Sequence, residues 1–243
     1  MKKPLDRKNY GSIGHLPSSR MGPSDHHVHP GQEAICTVKA RDKHDVIIVT
    51  EKVDGSNVGI ARIGDNIHAL GRAGYLAQSS KYKQHQLFAD WVRKREDFWR
   101  ETLHDGQRLV GEWLAQAHST RYNIHDPFFA FDLISNFDRE TGEKLETERR
   151  APFNILQKLC NVSCIQMPRV LHIGSPLSVD KAMELHLQKH SGFHPEDGPE
   201  GVVYRVERQG EFDFMAKWVR PDKVDGKYLP EMSGKDAIWN WWP

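Results

Sequence analysis

An α+β fold built mainly on antiparallel sheet follows from three features of the sequence: short β-branched runs, turn-forming residues between them, and amphipathic helical stretches at irregular intervals. Residues 1–33, rich in Gly, Pro, Ser and His, predict an extended lead-in segment. From Ala34 onward, strands are expected at Ile35–Val38, Val46–Thr50, Val58–Ala61 and Ile67–Leu70. Gly64-Asp65-Asn66 joins the last two with a composition suited to a hairpin turn. A helix is expected from Tyr82 to Leu103, because Leu87, Phe88, Trp91, Val92, Phe98 and Trp99 recur there at three- and four-residue steps. Those rings read as core. Further strands are expected at Arg108–Leu114, Phe128–Ile134, Val202–Val206 and Phe212–Val219, and helices around Pro152–Cys160 and Ser178–His190. This irregular order argues against a doubly wound parallel sheet. With no internal repeat and no low-complexity linker, one domain over 1–243 is the simplest organisation, its tail 221–243 packed on the core through Trp239, Trp241 and Trp242.

The chain has 243 residues, 38% hydrophobic and 28% charged, the balance of an ordinary globular protein. No run approaches the roughly 18 apolar residues that span a bilayer. The start, Met1-Lys-Lys-Pro-Leu-Asp, lacks the apolar stretch of a secretory signal. Three cysteines, Cys36, Cys160 and Cys164, fit a reducing compartment better than a disulfide framework, so a cytoplasmic protein without a membrane partner is expected. A net charge of +1 excludes a molecule that attracts polyanions over its whole surface. Any such site must be a local patch, because attraction fades over about 8 Å at physiological salt. Arg93-Lys94-Arg95, Arg149-Arg150 and the group Lys217, Arg220, Lys223 and Lys227 are the candidates.

The chemistry centres on Val46-Ile-Ile-Val-Thr-Glu-Lys-Val-Asp-Gly-Ser-Asn57, an apolar strand that ends in Lys52 and runs into Asp54, Gly55 and Asn57. Gly55 lets backbone approach a phosphate closely. A lysine amine is a nucleophile only when uncharged, a state that burial and neighbouring cations favour. A Lys-x-Asp-Gly match alone is weak, since at average residue usage it arises by chance in roughly one chain of this size in twenty. Its company is what matters. Arg72 stands in Gly71-Arg-Ala-Gly, Glu112 ends the apolar run Leu109-Val-Gly-Glu, and Phe128-Phe-Ala-Phe131-Asp offers rings able to stack on a base. Glu200 precedes Gly-Val-Val, and Lys217 lies in Ala216-Lys-Trp-Val.

In this order the motifs resemble those of the covalent nucleotidyltransferase superfamily of polynucleotide ligases and mRNA capping enzymes, most nearly the nick-sealing, bacteriophage-type ATP-dependent RNA ligases. The resemblance runs from about residue 46 to 220 and implies an adenylyltransferase domain. It implies that Lys52 attacks the ATP α-phosphorus to give a lysine–AMP phosphoramidate. It puts Glu51, Asp54 and Asn57 among the nucleotide-binding residues and Arg72 on the ribose or a phosphate. Phe131 would stack on adenine, ahead of Phe129. Glu112 and Glu200 would hold ribose hydroxyls or Mg²⁺, and Lys217 would touch the α-phosphate. AMP would then pass to an RNA 5′-phosphate at an RNA end or nicked duplex and be displaced by a 3′-hydroxyl. The resemblance leaves the oligomeric state open.

Two departures from the family pattern stand out. Its terminal motif pairs two lysines two apart, whereas Met215 and Val219 flank Lys217 here; Arg220 or Lys223 stand near enough to take that place. The 23 residues after Arg220 fit neither an OB domain nor the helical domain of phage-type RNA ligases. A DNA ligase and a non-catalytic module of the same fold that binds nucleotide or RNA ends are the alternatives. Asp25-His-His-Val-His-Pro30 has imidazoles at metal-sharing steps but no complementary ligand set nearby, and reads as a polar loop. Cys160 and Cys164 read as ordinary thiols. Arg121, close behind Glu112, is a candidate for an RNA phosphate.

Overall fold

The computed structural model describes residues 2–138, 141–188 and 192–243. In chain order they form β1 (Gly14–His15), α1 (Pro30–Thr37), β2 (Asp45–Lys52), β3 (Ser56–Ile63), β4 (Asn66–Gly71), α2 (Lys83–Arg93), α3 (Glu96–Thr102), β5 (Gln107–Trp113), β6 (Phe128–Phe137), β7 (Lys144–Arg150), α4 (Phe153–Val162), β8 (Val170–Gly174), α5 (Val179–Gln188), β9 (Gly201–Arg208), β10 (Glu211–Val219) and α6 (Pro230–Ser233). The α+β class and the largely antiparallel sheets are those the sequence predicts. No helix among the described residues is long and apolar enough to cross a membrane.

The elements fall into two compact units. The first takes Met1–Gly11, Gly55–Ala115 and Asp126–Met167. Its sheet, in the order β4-β3-β5-β6-β7, is antiparallel throughout. Phe88 and Trp91 of α2 and Trp99 of α3 pack with Trp113 and Phe128 from the sheet, ring centroids 5.2 to 6.3 Å apart. This aromatic layer is the core that the helical spacing predicts. The expected helix from Tyr82 to Leu103 is nevertheless two, broken at Lys94-Arg95, where Arg95 leaves helical backbone (φ −124°, ψ 27°). Its guanidinium lies 4.5 Å from the centre of the Trp91 ring, a cation–π contact that fixes the bend.

The second unit takes Ser12–Asp54, Gln116–His125 and Pro168–Pro243. Its sheet runs β1-β10-β9-β2-β8, with β1 parallel to β10 and the other pairs antiparallel. Alternate residues of the central strands, Ile47, Val49, Val202, Tyr204, Val206 and Ala216, form a core with Leu16, Cys36 and Ala182. The strand expected at Ile35–Val38 is a correction: those residues continue α1 as far as Thr37. His29 and Gln32 form a reciprocal capping box around Pro30, and these start signals outweigh the β-branched run. The lead-in segment likewise contains β1 and the start of α1. β7 and β8 were not expected. Of the helix expected at Ser178–His190, α5 ends at Gln188, and its last expected residues, 189 and 190, lie outside the described ones. The tail is tied by Ala117 N, which donates to Ile238 O (2.9 Å), and by a bridge between Gln116 and Trp239. Trp239 and Trp241 are half-buried, while Trp242 is exposed.

Gly201 pairs with Lys52 on one side and Val219 on the other. A methyl group at this position would collide with the Trp218 carbonyl. Gly201→Ala therefore forces β10 outward and lowers stability by about 1–3 kcal/mol, to be measured by urea unfolding.

Candidate functional site

Strand side chains alternate between faces. In the second unit Thr50 pairs with Val203, which pairs with Lys217, which pairs with His15; Lys52 pairs with Gly201. Lys52 and Lys217 therefore share one face of the sheet, opposite the apolar core. Glu51 turns the other way: its buried carboxylate accepts from Arg169 N (2.9 Å) and lies 3.4 Å from the His186 ring. The backbone of Glu51, rather than its acid group, runs alongside Lys52.

Lys52 Nζ donates to Glu200 Oε1 at 2.7 Å. Lys223 donates to the same oxygen and also to Asp54 Oδ1 (2.9 Å). Asp54 Oδ2 accepts from the amides of Ser119 (2.6 Å) and Thr120 (3.1 Å), and the Asp54 amide donates to Tyr122 Oη (2.9 Å). Gly226 N closes the ring of contacts on Ser119 Oγ (3.0 Å). Burial by itself would strip Lys223 of its proton and protonate Asp54. Instead Glu200 and Asp54 hold the Lys223 ammonium above its ordinary range, and Lys223, Lys52 and His118 hold the Asp54 carboxyl below its own. Burial pushes the neighbouring His118 imidazole down and the Tyr122 phenol far up, so both are neutral at pH 7. Glu200 Oε2 is buried and hydrogen-bonded to none of the described residues.

Lys217 Nζ lies 3.5 Å from Asp25 Oδ1. Asp25 Oδ2 in turn stands 3.1 Å from Nε2 of buried His15, whose Nδ1 meets Ser19 Oγ at 2.6 Å. Burial, and then Lys217, lower the His15 imidazole to about 4 against the pull of Asp25.

In the first unit, register assembles the remaining motifs. Asn57 pairs with Glu112, and Glu112 with Phe129, giving one row across three strands. Arg72 opens the turn just past the Val58–Gly71 pair, and its carbonyl accepts from Asn9 N (3.1 Å) and Tyr10 N (3.4 Å). Glu112 Oε1 accepts from Gly55 N at 3.2 Å. A side chain at Gly55 would strike the Trp113 carbonyl, so this approach requires glycine. Asn57 Oδ1 is buried and hydrogen-bonded to none of the described residues. Phe131 sits at a bulge in β6, edge-on to Tyr10 with centroids 5.3 Å apart, whereas Phe129 is the ring in register with Glu112.

Other sequence candidates have partners of their own. Arg121 Nε donates to Asp197 (2.8 Å), and its Nη2 to Glu196 (2.9 Å). Arg149 pairs with Asp138, Arg150 with Asp132 and Tyr10, and Lys227 with Asp197. Of the Asp25–Pro30 cluster, His27 meets His15 O (3.3 Å) and His29 caps α1. Among the described residues no group of three or more His, Cys, Asp or Glu could hold a metal ion. Lys223, which the sequence offers with Arg220 as a stand-in for the missing second lysine of the terminal motif, is the one of the two that bonds Glu200 and Asp54; the Asp54 contacts to Ser119, Thr120 and Tyr122 are the addition to the expected residues.

The RNA ligase family model matches residues 45–219. An archaeal ATP-dependent RNA ligase structure is 19% identical with a TM-score of 0.51, covering 86% of this chain and 48% of its own. A variant of Naegleria gruberi RNA ligase with ATP and Mn is 14% identical with a TM-score of 0.53, covering 85% and 59%. Another, with AMP and Mn, is 15% identical with a TM-score of 0.53, covering 90% and 61%. At these identities the likeness is one of fold, the two-sheet α+β architecture of the RNA-ligase adenylyltransferase domain. The chain spans about half to three fifths of the length of these structures. No curated protein matches it.

Since the folded His15 value of about 4 lies below the ordinary 6.5, its stabilising contribution is complete above pH 6.5 and is lost as the pH falls toward 4. His15→Gln is expected to reduce the slope of unfolding free energy against pH in that window, as measured by urea titration at half-unit steps.

Proposed function

The chain belongs to the RNA ligase family, and from that premise we propose that it is an ATP-dependent RNA ligase in which Lys52 is the AMP acceptor. The observation that carries this reading is the placement of Lys52 at a strand end, its amine on a buried carboxylate that a second ammonium already engages. After losing its proton, the Lys52 nitrogen attacks the α-phosphorus. The P–N bond forms, the bond to the β-phosphate bridging oxygen breaks, and pyrophosphate leaves. An oxygen of an RNA 5′-phosphate then attacks the phosphorus and takes the adenylyl group, and the P–N bond breaks as the departing Lys52 nitrogen picks up a proton from solvent. A 3′-hydroxyl finally attacks the RNA 5′-phosphorus, giving up its proton and releasing AMP as the phosphodiester forms.

Lys217 offers its ammonium to the α-phosphate in exchange for Asp25, and Glu51 contributes through its backbone. Asn57, Arg72 and Glu112 hold the nucleoside, with the buried Oδ1 of Asn57 as a ready acceptor. Mg²⁺ ordinarily keeps several waters and takes one or two carboxylates plus substrate phosphates. The buried Oε2 of Glu200 fits such a contact. When bound with ATP, the ion offsets charge on the polyphosphate. Three free cysteines support a reducing, cytoplasmic setting.

A second reading, a nucleotide- or RNA-end-binding module without turnover, is favoured by the lysine absent from position 219. Incubation with α-labelled ATP and Mg²⁺ separates the two. An acid-labile protein adduct is expected in the wild type and none in Lys52→Ala; no wild-type adduct, or one that survives the substitution, overturns the ligase reading. Nicked duplexes with RNA or DNA on the 3′-hydroxyl side test the substrate.

If Phe131 stacks on adenine, Phe131→Ala weakens ATP binding about 5- to 150-fold, since one base on a ring is worth about 1–3 kcal/mol. A loss of that size in Phe129→Ala instead moves the base to the Glu112 row.

A further inference from the structure

We infer that the cavity beside the aromatic layer of the first unit, walled by Trp91, Phe98, Trp99 and Phe128, is a subsite for one unpaired base of an RNA strand. It takes from the RNA-ligase reading above the strand that brings the base, and adds a site that none of the nucleotide motifs reaches.

The cavity measures about 320 Å³ and belongs wholly to the first unit. That is the small end of the range for ligand pockets, about 300–1,000 Å³, and suits a single planar ring system. Phe128 and Phe129 are neighbours on β6, and strand side chains alternate between faces. The cavity therefore lies on the sheet face opposite the row of Asn57, Glu112 and Phe129. Trp91, Trp99 and Phe128 are buried, with centroids 5.5 to 6.3 Å apart, and Phe98 stands edge-on to Trp99 at 4.7 Å. Every base presents a π-face, so aromatic walls of this kind hold bases whatever their identity.

Polar groups on the same walls match the edge of a base. Trp99 is fully buried, and its Nε1 is hydrogen-bonded to none of the described residues. A buried N–H without an acceptor is costly, and a ring nitrogen or carbonyl oxygen of a base supplies one. Asp126 Oδ1 accepts from Phe128 N at 3.0 Å, leaving Oδ2 for a base N–H. Burial raises the Asp126 carboxyl above its ordinary value, which the Phe128 amide and Arg95 only partly offset, so a further donor there is favourable. Charge at the rim argues for a strand rather than a free nucleoside. Arg95, whose guanidinium covers the Trp91 ring, lines the cavity and ends the exposed run Arg93-Lys94-Arg95. Arg93 is shared with Asp90 at 3.1 Å, and Lys94 faces solvent. The phosphates flanking a captured base meet these cations.

The test uses a thiol. Cys164 is exposed and lines the same cavity, whereas Cys36 and Cys160 are buried, and burial pushes both of those thiols up to about 12. Alkylation of the full chain by N-ethylmaleimide at neutral pH, mapped by peptide mass spectrometry, therefore reports on Cys164. A short single-stranded RNA is expected to slow it, and an abasic strand of the same length is not. The alkylated protein binds that RNA about 5- to 150-fold more weakly than Cys164→Ser treated alike, the worth of one stacked base, and binds the abasic strand equally well. Trp99→Phe keeps a ring, removes the N–H, and weakens RNA binding about 2- to 10-fold. Equal slowing by both strands, or an RNA affinity that alkylation leaves unchanged, overturns the subsite. Protection by adenosine that the RNA fails to give overturns the strand as the source of the base. Protection of Cys164 by RNA in a protein that forms no Lys52 adduct overturns the ligase reading and leaves the subsite standing.

Discussion

One carboxylate oxygen, Glu200 Oε1, receives two ammonium groups inside the second unit, and the local backbone is arranged to permit it. Bringing four charges out of water is costly unless each is matched and hydrogen-bonded. The chain meets that condition with main-chain donors on Asp54, with a phenol on its amide, and with a turn that returns to Ser119. The cluster draws together segments near residues 54, 119, 200 and 223, so its formation presupposes the folded second unit. Such a network is a weak source of stability, yet it fixes one arrangement strongly, because removing any member leaves a buried charge unmatched.

The first unit solves a different problem, one of alignment. Asn57, Glu112 and Phe129 arrive in one row through pairing register alone, without a loop to carry them. Gly55 lets the Glu112 carboxylate cap the backbone just ahead of that row. The aromatic layer of Phe88, Trp91, Trp99, Trp113 and Phe128 fills the opposite face, so the sheet carrying the row is held rigid from behind.

Much of this was legible beforehand. Strands with clear period, such as β2, β3, β9 and β10, and the aromatic stripe of α2 and α3 were readable because burial and periodicity coincide there. Ile35–Val38 misled because β-branched composition is a weak signal beside the capping box of His29 and Gln32. β7, Lys144–Arg150, is mostly charged and half-exposed, and offers no apolar alternation to read. The motif residues themselves stood out, but their pairing did not. That Lys217 meets Asp25 and Lys223 meets Glu200 depends on contacts across 192 and 23 positions, which no local pattern encodes.

The opposed directions of Glu51 and Lys52 carry a consequence for how β2 may vary. These neighbours anchor different sides of one strand, the acid among helix α5 and the β8 approach, the amine on the face opposite the apolar core. A slip of a single residue would exchange them, pressing an ammonium into the apolar layer and taking Ile47 and Val49 out of it. Insertions or deletions within 45–52 should therefore be far less tolerated than substitutions, and any lengthening in this neighbourhood belongs in the loop before Asp45.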